Sequence, residues 1–268
     1  MTEATFGQIW WQILLALLIS YLCGNINFAI IISKLKKTDI RTQGSGNPGT
    51  MNMVRSFGIK IGILTLFLDA MKAFLPTLGA GLYFSGLQTP DGYCWGALVP
   101  VVCGLAAVIG HIYPVALKFH GGKGVASTIG VFLYLQPIAT AVMLVVGFFY
   151  ILKYEYGSVA SLMVITVVTL ADAVCELIFV LQQGFYVESL AVWICLFVIC
   201  ALTYYAHRGN LRRLRAGTEN RTKLREMMAG KKKAKEEAAA AAEPDQPEKP
   251  GDAETSQEPG TEDPSDPR

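Results

Sequence analysis

Residues 125–152 read VASTIGVFLYLQPIATAVMLVVGFFYIL, a stretch without a single charge. A helix needs about 20 mostly apolar residues to cross the hydrocarbon core of a bilayer. The stretch is therefore long for one crossing. Divided at Pro137, which breaks a helix that runs into it, its first part (125–135) is short for a crossing of its own. One crossing or two decides on which side of the membrane everything after it lies. Outward from this pair, further apolar runs occupy 8–32, 59–86, 93–117, 159–181 and 187–206, and 137–152 forms the second half of the divided stretch.

Lysine and arginine settle the division, because cytoplasmic loops carry an excess of them. With two crossings in 125–152 and the N-terminus outside, one side receives Lys34, Lys36, Lys37, Arg41 and Arg55, with Lys60 at the next helix mouth. The same side receives Lys118, Lys123, Lys153 and the 13 basic residues after position 206. The opposite connections receive none, so 22 of the 23 basic residues are sorted and the last, Lys72, lies inside a span. A single crossing would put the strongly basic C-terminal segment outside. The sequence thus predicts an all-α polytopic membrane protein with seven transmembrane helices, some short, and cytoplasmic glycine-rich loops. The expected location is the cell (inner or plasma) membrane, N-terminus out and C-terminus in.

Composition agrees. The chain is 52% hydrophobic and 16% charged, against about 25% charge in soluble domains. Residues 230–268 contain no Val, Ile, Leu, Met, Phe, Trp, Tyr or Cys but hold 11 of the 21 acids. Residues 1–229 keep 17 basic and 10 acidic side chains, so the formal +2 hides a basic, apolar body and a tail of net −5. The expected organisation is a membrane domain over 1–229 followed by a disordered, acidic, Pro/Ala/Glu-rich cytoplasmic tail over 230–268, with room for a short helix at Lys231–Ala242. Such a body excludes a secreted disulfide scaffold and an ordinary soluble enzyme. The cysteines lack the paired spacing of a metal or redox site. Glu3 is the only early charge and no clear small-residue cleavage site follows, which argues against a secretory signal.

Three polar clusters fall on the expected inner side. The first is Gly44-Ser45-Gly46-Asn47-Pro48-Gly49-Thr50-Met51-Asn52, followed by Arg55 and Gly58. Closely spaced glycines let backbone N–H groups converge on one point, and such a loop leading into a helix makes an anion cradle. Ser45, Asn47 and Asn52 add neutral donors, and Arg55 adds a planar cation suited to phosphate. The plainer reading is a tight turn with Arg55 facing lipid headgroups.

The second cluster is His111-Ile112-Tyr113-Pro114, then Lys118-Phe119-His120-Gly121-Gly122-Lys123-Gly124-Val125-Ala126-Ser127. Gly121, Gly122 and Gly124 around Lys123 repeat the design, without the spacing or preceding strand of a Walker A loop. Its plainer reading is a re-entrant turn with snorkelling lysines. The third runs from His207 to Glu219; on a continuing helix His207 and Asn210 share a face, and Arg212, Arg213 and Arg215 read as a polybasic anchor. Asp69 and Lys72, three residues apart inside a span, read as a structural ion pair, because lone charges at that depth are costly. Asp172 and Glu176 form a carboxylate pair whose plainer reading is approach to the outer surface, and Ser158 sits at an inner helix mouth.

In this order the clusters resemble three motifs, GSGNxGxTNxxRxxG at 44–58, GHxFPxxxxFxGGKGVAT at 110–127 and HxxNIxRLxxGxE at 207–219, of the PlsY family of membrane glycerol-3-phosphate acyltransferases. The similarity runs from about Tyr21 to Arg221. Met51 stands where the family usually has Thr, Leu211 replaces Ile, and Gly24-Asn25-Ile26-Asn27-Phe28 lacks the common Gly-Ser-Ile-Pro-Phe.

The resemblance implies transfer of an acyl group from acyl phosphate to the 1-hydroxyl of glycerol 3-phosphate, giving lysophosphatidate and phosphate. It implies that Ser45, Gly46, Asn47, Gly49, Asn52 and Arg55 hold a phosphate and orient the acyl carbonyl, and that Gly121, Gly122, Lys123 and Gly124 bind mainly glycerol 3-phosphate. His207 and Asn210 would position the attacking hydroxyl or its proton, Ser158 would match a serine at the substrate mouth, and Glu219 would tie the inner loops together through a basic side chain. His111 is expected to be structural.

The activated donor needs no enzyme nucleophile, and no GxSxG elbow is present. No metal and no cofactor are expected, since acids are not clustered on the inner face. The expected partners are the two substrates, the bilayer and an acyltransferase that forms acyl phosphate; no nucleic acid is expected. A transporter of phosphate or a phosphorylated solute is the competing reading, although no half-to-half similarity is visible. A lipid-binding scaffold is a third, supported only by the basic C-terminal segment.

Overall fold

The structure, a computed structural model, describes residues 1–230. The expected acidic tail beyond Gly230, with the helix at Lys231–Ala242, lies outside the described residues. The described chain is helical throughout apart from its connections and one short pairing, in which β1 (Thr2–Glu3) lies parallel to β2 (Leu87–Gln88).

The first expected span, 8–32, is not one helix. It divides into α1 (Phe6–Asn25) and α2 (Phe28–Leu35). Asn27 makes the break: its Oδ1 accepts from the Ile30 N–H at 3.0 Å and caps α2, while its Nδ2 donates to the Pro48 carbonyl at 3.3 Å. The Ile26 carbonyl, released from helical pairing, accepts from the Lys72 ammonium. The interruption thus ties the first helices to the first glycine loop and to the buried charge of the next span.

That loop leads through α3 (Thr50–Phe57) into α4 (Ile59–Phe84) and, beyond β2, α5 (Trp95–Ile112). The division at Pro137 is present: α6 (Val125–Leu135) ends before it, and α7 (Pro137–Tyr154) starts on it, where its missing N–H costs nothing. Then follow α8 (Gly157–Gln183), α9 (Val187–Ala206) and α10 (Arg208–Arg215). With α1 and α2 taken as one segment, six helices among the described residues are long and apolar enough to cross a membrane. Where the seventh crossing was expected, α6 has 11 residues and is about 16 Å long, against a hydrocarbon core of about 30 Å.

The central helix is α5, packed by α1, α4, α6 and α9. It approaches α1 through glycine on both sides: a Cβ on Gly24 would stand 2.2 Å from the Ala107 carbonyl oxygen, and one on Gly110 2.3 Å from that of Tyr21. Small residues at a crossing let two backbones meet, and dispersion is what holds apolar helices together in lipid. Gly110→Val is therefore expected to force α1 from α5 and cost about 1–3 kcal/mol, read as a lower Tm in detergent; an unchanged Tm would show that the crossing does not bear on stability.

Candidate active site

One cavity of about 1190 Å³, its open mouth included, gathers residues from all three clusters. Ser45, Asn47, Gly49 and Arg55 come from the first loop and α3, Lys123 and Gly124 from the second loop, and His207, Asn210 and Glu219 from the segment around α10. Ser158, in the first turn of α8, joins them. The two glycine loops therefore open onto the same space.

Glu219 organises the polar end. Gly217, at φ +69, turns the chain back after α10 and returns Glu219 to a buried position. Its Oε1 accepts from Ser158 Oγ at 2.9 Å and from Asn210 Nδ2 at 2.6 Å, and its Oε2 accepts from Arg213 Nε at 2.9 Å. Burial alone would push the Glu219 carboxyl up, but these three donors and the Arg213 charge hold it below the usual range. A carboxylate only accepts, so the Asn210 amide nitrogen must face it and the Asn210 oxygen must face away. There the Lys123 ammonium donates to Asn210 Oδ1. Burial, reinforced by Arg213 and Arg55 against the opposing pull of Glu219, brings Lys123 down to about 8.

His207 ends α9 and leads into α10. Its Nδ1 lies 2.8 Å from the Thr203 carbonyl oxygen, which has no proton to give, so Nδ1 carries the hydrogen and Nε2 keeps its lone pair. Burial lowers this imidazole to about 4, with Lys123 adding to the fall and the Thr203 bond opposing it. It is neutral near pH 7. Arg55, its pKa lowered by burial, donates from Nε to the Arg221 carbonyl at 3.3 Å and from Nη2 to that of Asn220 at 3.2 Å.

Some expected ligand residues are occupied otherwise. Asn52 lines the cavity, but its Oδ1 accepts from the Ser45 N–H at 3.0 Å and its Nδ2 donates to the carbonyls of Ile40 and Gln43, at 3.2 and 2.9 Å. It shapes the first loop. Gly46 is away from the cavity lining and closes a turn at φ +70. Gly121 and Gly122 also lie off the lining: a Cβ on Gly121 would stand 2.0 Å from the His111 carbonyl oxygen, and one on Gly122 2.2 Å from His111 Nε2. The lack of side chains there lets the loop pack against His111, and the Gly121 and Gly122 N–H groups donate to the carbonyls of Ile112 and His111, both at 3.1 Å. Gly122→Ala is accordingly expected to displace the loop that carries Lys123 and cut turnover at least tenfold; wild-type kinetics in that variant would contradict this.

The expected ion pair is present, and Asp69 and His111 reach the cavity lining. Lys72 Nζ lies 2.9 Å from Asp69 Oδ1 and 2.8 Å from His111 Nδ1, all three buried. A brace therefore runs from the α1–α2 break through Lys72 and His111 to the second loop, as suits a structural His111.

Two features escaped the sequence reading. Arg213, read there as part of a basic anchor although it is the arginine of the third motif, lines the cavity. The apolar wall was also missed: Leu144, Phe148 and Ile151 on α7 face it together with Leu66, Ile129 and Val164, and their spacing along α7 was the available signal. Met51 lines the cavity near Gly157, where a Cβ would stand 3.0 Å from Met51 Cε. The result is a polar, cationic end joined to an apolar side.

Comparison with known proteins follows the same lines. A family profile described as glycerol-3-phosphate acyltransferase matches residues 14–217. The chain is 38% identical over 201 residues to the glycerol-3-phosphate acyltransferase of Geotalea daltonii, covering 75% of this chain and 93% of that one. It is also 38% identical over 208 residues to that of Aquifex aeolicus, covering 78% and 98%. A crystal structure of PlsY, an integral membrane glycerol 3-phosphate acyltransferase in its glycerol 3-phosphate form, superposes with a TM-score of 0.65 at 36% identity over 78% of this chain and 95% of that one. The lysophosphatidic acid form of PlsY superposes at 0.63 with 35% identity, over 81% and 98%. This chain belongs to the glycerol-3-phosphate acyltransferase family.

Proposed function

We propose that the protein transfers a fatty acyl group from acyl phosphate to the sn-1 hydroxyl of glycerol 3-phosphate, releasing lysophosphatidate and inorganic phosphate. The observation that carries this reading is the shared cavity, with Arg55 and Lys123 at its polar end and an apolar wall beside them. Two phosphates and a lipid chain need that combination. In this reading Ser45, Asn47, Gly49 and Arg55 hold the phosphate of the donor, and Lys123 and Gly124 hold glycerol 3-phosphate. Asn52, Gly46, Gly121 and Gly122 act by shaping the loops.

The hydroxyl attacks the acyl carbonyl carbon, and the bond from that carbon to the phosphate oxygen breaks. His207 Nε2 accepts the hydrogen bond of the attacking hydroxyl and aims it, with Asn210 and Ser158 beside it. A base near 4 is too weak to take the hydroxyl proton efficiently, whereas the second pKa of a phosphate is about 6. The departing phosphate is the better acceptor, and it leaves with the proton. We also place α6 as a seventh crossing, which puts both loops and the C-terminal segment on the basic, cytoplasmic side. The acidic residues after Gly230 form a separate tail in this reading, and an acyltransferase that makes acyl phosphate supplies the donor.

Purified protein in detergent, given acyl phosphate and glycerol 3-phosphate, should form lysophosphatidate and phosphate without acyl-CoA or acyl carrier protein. Absence of product with active lipid and both substrates defeats the proposal, and uptake of a phosphorylated solute by vesicles favours a transporter. The pH dependence has a definite sign. The Lys123 amine binds phosphate as an ammonium, so with its pKa near 8 the KM for glycerol 3-phosphate should stay low below pH 8 and climb above it, by about tenfold per unit at the limit. A KM flat from pH 7 to 9.5 would contradict the role of Lys123.

A further inference from the structure

Helix α10 carries Arg208, Arg212, Arg213 and Arg215, and the bland role for all of them is attraction to an anionic leaflet. Their environments differ. Arg208, Arg212 and Arg215 are exposed, whereas Arg213 is half-buried and turned to the cavity. It lies three residues after Asn210 on the same helix face, which brings it alongside the Asn210–Lys123 contact.

Its hydrogen bonding is incomplete. Nε donates to Glu219 Oε2, and among the described residues the two Nη groups have no hydrogen-bond partner. A residue kept only to anchor Glu219 needs no more than that one edge. The planar fork leaves its other edge for a second acceptor.

The charge balance points the same way. Arg55, Lys123 and Arg213 meet around one cavity with Glu219, while Asp69 is already paired with Lys72. Three cations against one carboxylate leave an excess of two positive charges. That excess suits a cavity that takes phosphate groups.

We infer that Arg213 is a substrate-binding residue, clamping the phosphate of glycerol 3-phosphate together with Lys123 and leaving Arg55 to the acyl phosphate. The assignment rests on the proposed reaction for the identity of the ligand. It also explains why Glu219 is held where it is: Glu219 fixes the guanidinium plane and the Asn210 amide in one step, so the two donors to the phosphate are set before substrate arrives.

The test uses the full-length protein in detergent with Arg213→Ala, Arg213→Lys, Glu219→Gln and, as a control from the exposed face, Arg212→Ala. Arg213→Ala should raise the KM for glycerol 3-phosphate and the inhibition constant of inorganic phosphate competing with it by about 10- to 100-fold. Arg213→Lys should fall between it and wild type. The KM for acyl phosphate should move less than twofold, and Arg212→Ala should behave as wild type. Glycerol 3-phosphate kinetics within twofold of wild type for both Arg213 variants would overturn the inference. So would equal losses for both substrates matching Glu219→Gln, which would reduce Arg213 to a support for Glu219. If Arg213→Ala does not fold, Arg213→Lys is judged by the same criteria. If the wild type shows no turnover, the proposed reaction fails instead, and calorimetric binding of glycerol 3-phosphate to wild type and Arg213→Lys still decides whether Arg213 holds a phosphate.

Discussion

Lys123→Ala is expected to raise the KM for glycerol 3-phosphate by about 10- to 100-fold, the worth of one charge-assisted hydrogen bond to phosphate, about 1.5–3 kcal/mol. The residue is a compact cation on a short loop, and among the described residues its one hydrogen-bond partner is Asn210 Oδ1. Removing it leaves Asn210 still anchored through its amide to Glu219, so the cavity keeps its shape and the loss falls on binding. The KM for acyl phosphate should change much less. Initial-rate kinetics in which each substrate is varied in turn check this, and an unchanged dependence on glycerol 3-phosphate would refute the assignment.

Glu219→Ala should be the most damaging single change at the polar end. Three donors lose their acceptor at once: Ser158 Oγ, Asn210 Nδ2 and Arg213 Nε. Arg213 then stands beside Lys123 with no carboxylate between them. Because Arg213 is partly exposed and water can screen it, the cost in stability is put at about 3 kcal/mol rather than the larger value of a fully dry pair. Turnover should fall at least 100-fold, since misplacing Asn210 and Lys123 by even an ångström removes the alignment of hydroxyl and carbonyl. Glu219→Gln, which retains an oxygen for Asn210 but loses the charge facing Arg213, should be intermediate. Thermal unfolding and turnover of the two variants in the same detergent check the order; wild-type Tm and rate in Glu219→Ala would contradict it.

Much of this arrangement was legible in sequence. Apolar runs located the helices, because bilayer thickness acts on composition directly. Pro137 marked a true helix boundary for a local reason, its missing N–H. The break at Ile26–Asn27 was not legible, since what stabilises it is Pro48 and Lys72, far along the chain. The glycine loops were found, but their reasons differ residue by residue. Gly124 opens α6 at the cavity, whereas Gly121 and Gly122 exist to let His111 approach, a contact that spacing does not encode. Arg213 stands at the arginine of the third motif, which was the available signal, but among three arginines within four residues its role shows only once the turn at Gly217 brings Glu219 back to it.

In the proposed mechanism the two substrates occupy one cavity together, and the hydroxyl attacks the acyl phosphate directly. Initial rates of the purified protein measured over a grid of acyl phosphate and glycerol 3-phosphate concentrations test that most directly. Intersecting double-reciprocal lines, with no acylated protein detected by mass spectrometry when acyl phosphate is supplied alone, are the predicted result. Parallel lines accompanied by an acylated enzyme would contradict it.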